Sequence, residues 1–95
     1  MADYIFLMHG AEAVGDWGAY IETLAAKGVM RGGSAVGDGV CVRKDAADAH
    51  NITDYIKGYI KVEVDSLEAA KALLPGNPVY EAGGVIEIRE LPRTD

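Results

Sequence analysis

The chain has 95 residues, a length that fits one domain and leaves no room for two. Nine Lys and Arg face fifteen Asp and Glu, for a net charge of −6, and no basic cluster occurs; nucleic acid and anionic membrane surfaces are therefore disfavoured as partners. Apolar residues make up 49%, enough for a core, and the single Cys41 excludes an internal disulfide.

The opening Met1-Ala2-Asp3-Tyr4 carries no basic region and runs straight into a strand, so no secretory leader is expected. No run reaches the roughly 20 apolar residues of a membrane span, and the expected location is cytoplasmic. Residues 4–8 (Tyr-Ile-Phe-Leu-Met) are a continuous apolar run, too short for a helix, and read as a strand buried on both faces. Asp16 can cap a helix in which Trp17, Tyr20, Ile21 and Leu24 form one apolar stripe, with Gly28 as its left-handed end. A second strand starts at 29–31 and runs into Gly32-Gly33. Gly37-Asp38-Gly39 signals a turn, and 40–43 (Val-Cys-Val-Arg) reads as a short strand forming a hairpin-like arm with it. Residues 44–57 hold the longest loop. Gly58 then opens a strand with Ile60, Val62 and Val64 on one face and Tyr59, Lys61 and Glu63 on the other. Asp65 is the expected cap of a second helix, with Glu68 completing a capping box, Leu67, Ala70 and Leu74 as its buried stripe, and Pro75-Gly76 as its stop. The last strand spans 85–91, with Ile86 and Ile88 opposite in facing to Glu87 and Arg89.

This order is β-α-β-β-α-β, an α+β domain whose two helices can cover one face of a four-stranded antiparallel sheet. Ile5, Leu7, Ile60, Val62, Ile86 and Ile88 are assigned to the covered face. Tyr4, Phe6, Met8 and Tyr59 are left on the other, a contiguous apolar patch that a second subunit would cover. A homodimer packed sheet against sheet is therefore expected, against the alternative of an open face in solvent.

In their order and spacing, several segments together resemble the YCII-related family, whose larger branch is called DGPF. They are Tyr4-Ile5-Phe6-Leu7-Met8-His9-Gly10, Trp17-x-x-Tyr20-x-x-x-Leu24-x-x-x-Gly28-Val29-Met30-x-Gly32-Gly33, Gly58-Tyr59-x-x-x-Glu63-Val64, Ser66-x-Glu68-Ala69-Ala70 and Gly84-x-Ile86-Glu87-Ile88-Arg89-Glu90-Leu91. The resemblance implies a ferredoxin-like dimeric α/β barrel with a cleft between sheet and loops. It also implies possible dehalogenase chemistry, since some related proteins act on chlorinated ring-cleavage products. A His-Asp acid-base pair has been proposed for part of the family. The DGPF tetrapeptide itself is absent; the loop reads Lys44-Asp45-Ala46-Ala47-Asp48-Ala49-His50. Asp16 and Trp17 stand where some relatives carry a helical histidine, so the pair is not carried over by position.

Among residues able to carry chemistry, His9 ranks first: it ends a central strand just before a helix, and imidazole serves as acid or base near neutral pH. Asp16 or Asp38 would orient it; the plainer reading has His9 bonding a loop carbonyl. Arg31 and Arg89 are candidate clamps for a substrate carboxylate, or else partners of Glu63 and Glu87. Trp17 and Tyr59 are candidate substrate contacts, with core packing as the default for Trp17. His50, beside Asp48, Asn51 and Asp54, is a candidate substrate contact, acid-base dyad or weak metal site, against the plainer reading of a solvated loop. Neither histidine shows metal-ligand spacing, so no metal is expected. Cys41 reads as a buried thiol, and Gly32-Gly33-Ser34 lacks the lysine and helix of a phosphate loop. The expected function is cofactor-free acid-base chemistry (lyase, isomerase or dehalogenase-like) on a small anionic organic substrate. The rival is a non-catalytic ligand-binding or structural homodimer.

Overall fold

The structure, a computed structural model, describes residues 1–10, 15–45, 47, 53 and 55–93. Strand β1 (Ala2–His9) is followed by helix α1 (Trp17–Ala26), β2 (Met30–Ala35), β3 (Ile56–Val64), α2 (Leu67–Lys71), α3 (Pro78–Glu81) and β4 (Val85–Leu91). The strands form one antiparallel sheet in the order β2-β3-β1-β4. The two central strands are the first of each β-α-β half, which is the ferredoxin-like arrangement. Tyr20 and Leu24 of α1, Ala70 of α2, Leu73 after it and Val79 of α3 share one core with the sheet, so the helices lie on a single face. The thinnest dimension is 19 Å, about one sheet and one helical layer. None of the described helices is long and apolar enough to cross a membrane.

Register decides which strand residues meet that core. Phe6 lies opposite Ile60 on one side and Ile88 on the other, while Tyr4 faces Val62 and Met8 faces Ile86. Directly opposed residues share a face, and Tyr4, Phe6 and Met8 are buried, Phe6 completely. The expected phase of β1 is therefore reversed. Tyr4, Phe6 and Met8 pack under the helices and are not available to a partner subunit; Ile5 and Leu7 lie on the uncovered face with Tyr59, Lys61, Glu63, Glu87 and Arg89. The reason is physical: an unbroken apolar run carries no period-2 signal, and a shift of one residue moves every side chain to the other face.

Helix α1 starts where expected, with the Asp16 carboxylate accepting the Ala19 N–H at 3.3 Å. The Tyr20 hydroxyl donates to the Leu73 carbonyl at 2.9 Å, tying α1 to the turn after α2, and burial raises its pKa. Three other expectations are corrected. Ser66, not Asp65, caps α2, its hydroxyl accepting the Ala69 N–H, and the helix ends at Lys71, before Pro75. Leu67 is 48% exposed, and Leu73 takes the buried place given to it. Residues 40–43 form no strand; Cys41 makes an isolated bridge and Val42 is 72% exposed. Helix α3 was not anticipated. Its cap, Asn77, is fully buried, with Oδ1 accepting from the Val79 and Tyr80 N–H groups, and Pro78 occupies the first helical position.

The corrected phase yields a measurable contrast. Phe6→Ala should cost about 3–5 kcal/mol in chemical denaturation, whereas Ile5→Ala on the uncovered face should cost clearly less. Equal losses would contradict the register.

Candidate functional site

On the helix side of the sheet a cleft of about 760 Å³ opens between α1 and the β2–β3 edge, a size suited to a small-molecule ligand. Trp17 and Ile21 reach it from α1, the two half-buried members of a stripe whose Tyr20 and Leu24 are fully buried. Met8, Met30, Ile60 and Val79 complete the apolar walls. Two positions on this side of the sheet carry no side chain. Gly33 sits opposite Ile60, and Gly58 lies between Ala35 and Met8 on the same face. Ser34 and Lys57 also line the cleft, and Lys57 is the one charged residue among the described lining residues.

The uncovered face carries the polar chemistry. His9 Nε2 stands 2.9 Å from Glu87 Oε1, both side chains partly exposed, and Glu87 Oε2 lies 3.6 Å from Arg89 Nε. Glu87 pairs across the strands with Leu7, two residue pairs from His9 opposite Val85 and so on the same face, beside the imidazole. In the neutral tautomer that donates Nε2–H to this carboxylate, Nδ1 carries the lone pair. Sequence spacing missed Glu87 because the partner comes from a strand 78 residues away; the signal was present, however, in the alternation Glu87/Arg89 against Ile86/Ile88.

Asp16 and Asp38 are not the partners of His9. Asp16 is engaged at the start of α1, and Asp38 is exposed in the segment after β2. Arg31 pairs with Glu63 at 2.7 Å and also donates to the Gly28 and Met30 carbonyls. Tyr59 lies across from Leu7 on the uncovered face and touches the cleft floor. Trp17 stands at the cleft, edge-on to Tyr20 with ring centroids 6.3 Å apart. His50, with Asp48, Asn51 and Asp54, lies outside the described residues. Among the described residues no cluster of three or more His, Cys, Asp or Glu could hold a metal ion.

At the far end of the same face a second network joins all four strands or their extensions. Arg93, just past β4, makes a bidentate pair with Asp3 of β1 at 3.0 Å and also contacts Glu63 of β3, which holds Arg31 of β2. Hydrogen bonds from Arg93 lower the pKa of Asp3, and those from Arg93 and Arg31 lower that of Glu63, from ordinary values of 3.8 and 4.5; the same contacts raise the Arg93 pKa.

No family model matches the chain, and no curated protein matches it. Among solved structures, the chain is similar to 5-chloro-2-hydroxyhydroquinone dehydrochlorinase from Burkholderia phenoliruptrix AC1100, in complex with 2,5-dihydroxybenzoquinone. The likeness covers 99% of this chain and 96% of that one, with a TM-score of 0.51 and 15% identity. At that identity it shows a shared fold.

The second network predicts a pH dependence with a definite sign. Carboxyls whose pKa is lowered by folding stabilise the fold above their unfolded pKa, and this is lost as pH falls through the folded value. Arg93→Ala should therefore lower the urea midpoint at pH 7, and the difference from wild type should shrink below about pH 4. A difference that stays constant down to pH 2 would contradict the assignment.

Proposed function

We propose that the chain is a homodimeric, cofactor-free enzyme that moves a proton on a small organic anion, with His9 as the proton carrier. The observation that carries this reading is the His9–Glu87 pair at 2.9 Å on the one residue that lies between Met8 and Gly10, both of which line the cleft. Substrate held in the cleft and reaching the end of β1 would present an acidic C–H or O–H to Nδ1. The imidazolium formed is held by the Glu87 carboxylate, which Arg89 accompanies, and the proton is returned to the product or to a departing group. Lyase, isomerase and dehalogenase-like outcomes all follow from that one transfer. The likeness to a dehydrochlorinase that binds a dihydroxybenzoquinone supports the reading at the level of fold.

The second copy would cover the uncovered face. Ile5, Leu7 and Tyr59 stand there among Lys61, Glu63, Glu87 and Arg89, an apolar strip with charges of both signs that can pair across a two-fold axis. A slab 46 by 38 Å offers more than the roughly 800 Å² per partner of a standard interface. Such packing would also exclude water from His9 and strengthen its bond to Glu87.

A second reading, a ligand-binding module without turnover, is favoured by one observation: the His9 imidazole pairs on the uncovered face, whereas the cleft opens on the helix side.

Deuterium exchange separates the two. In D₂O, wild type should label an enolisable member of a panel of small organic acids, followed by NMR. His9→Ala should slow the labelling by about 10²–10⁴-fold, and Glu87→Gln should slow it and shift its pH profile. Labelling by His9→Ala at the wild-type rate would remove the acid-base reading and leave the binding module.

A further inference from the structure

Strand parity sorts the residues around the cleft by the face they present. On β3, Ile60, Val62 and Val64 are buried under the helices, whereas the alternate residues Lys57, Tyr59, Lys61 and Glu63 are not. Lys57 and Tyr59 border the cleft, yet both have the parity of the uncovered face. Ser34, opposite Tyr59, shares that face, and its hydroxyl donates to the Ala35 carbonyl at 2.8 Å. Every remaining lining side chain is apolar, from Met8, Met30 and Ile60 of the sheet to Trp17 and Ile21 of α1 and Val79 of α3.

Among the described lining residues, none therefore turns an ionisable side chain to the helix side of the sheet. A charge carried into such a space gives up its hydration and gains no partner, whereas apolar atoms gain from each contact with the walls. A volume of about 760 Å³ is roomy enough for the body of a small molecule. The ionisable groups at this end of the sheet, His9, Glu87 and Lys57, all have the parity of the other face, around the end of β1. A ligand that reaches both regions must keep its charge at one end and its apolar bulk at the other.

We propose that the cleft takes only the uncharged, apolar body of the substrate, and that the anionic group and the acidic hydrogen lie together at its other end, outside the cleft at the close of β1. This rests on the reading that substrate held in the cleft reaches His9, and narrows that substrate to a class: organic monoanions whose charge and exchangeable hydrogen share one end of an apolar body. Molecules charged at both ends are excluded.

Trp17 provides the readout, because it is the single tryptophan of the chain and lines the cleft. Straight-chain monocarboxylates from butanoate to decanoate should change its fluorescence saturably, with affinity rising about threefold for each added methylene. Octanedioate, charged at both ends, should bind about tenfold more weakly than octanoate or worse. Ile21→Asp places a charge in the cleft and should abolish the dependence on chain length. Ile21→Ala, a milder change at the same half-buried position, should weaken octanoate severalfold, and far-UV dichroism checks that each variant is folded. His9→Ala should bind the series like wild type, so loss of proton transfer with retained binding sinks the catalytic reading and not this one. The proposal is overturned if affinity does not rise with chain length, if octanedioate binds as tightly as octanoate, or if the folded Ile21 variants bind like wild type.

Discussion

A sheet with one layer of helices must divide its strand residues by parity, and the rest of the molecule depends on which parity faces the helices. In β1 the even positions Tyr4, Phe6 and Met8 do so, locked by cross-strand pairing with Val62, Ile60 and Ile86. Everything odd is thereby committed to the uncovered side: Asp3, Ile5, Leu7 and His9. This one assignment places Asp3 beside Arg93, His9 beside Glu87, and Met8 in the wall of the cleft. Reversing it would put a histidine and an aspartate into the core, where an unpaired charge is costly.

The alternating strands β3 and β4 show their faces directly, because Lys61 and Glu63, or Glu87 and Arg89, cannot share the apolar side. The run from Tyr4 to Met8 is uniformly apolar and silent about phase, yet the polar residues flanking it, Asp3 and His9, both stand at odd positions and held the answer. Helix α1 was legible from its Asp16 cap and its stripe. Helix α3 is four residues long and offers no periodicity; only the Asn77-Pro78 pair announced it. Exposed Val40 and Val42 mimic a strand because alternation records propensity and not pairing.

The site was only half visible for the same reason. His9 could be singled out by its position at a strand end, but its carboxylate partner comes from the opposite end of the chain, and no local spacing connects them. Arg93, which bridges two acidic side chains, likewise lies far in sequence from both. The cleft is recorded in what is missing. Gly33, Ala35 and Gly58 read as weak strand formers, and their effect, a hollow over an edge of the sheet, depends on α1 lying above them. Two features thus meet at the end of β1 from opposite sides of the sheet: an apolar hollow and a histidine–carboxylate pair.

We propose that the uncovered face, with Leu7 near its middle and His9–Glu87 at one end, is covered by a second copy. Sedimentation velocity at micromolar concentration tests it most directly. Wild type should sediment at twice the chain mass, and Leu7→Arg should sediment as single chains that retain native far-UV dichroism. Single chains for wild type, or dimers that Leu7→Arg does not disturb, would contradict it.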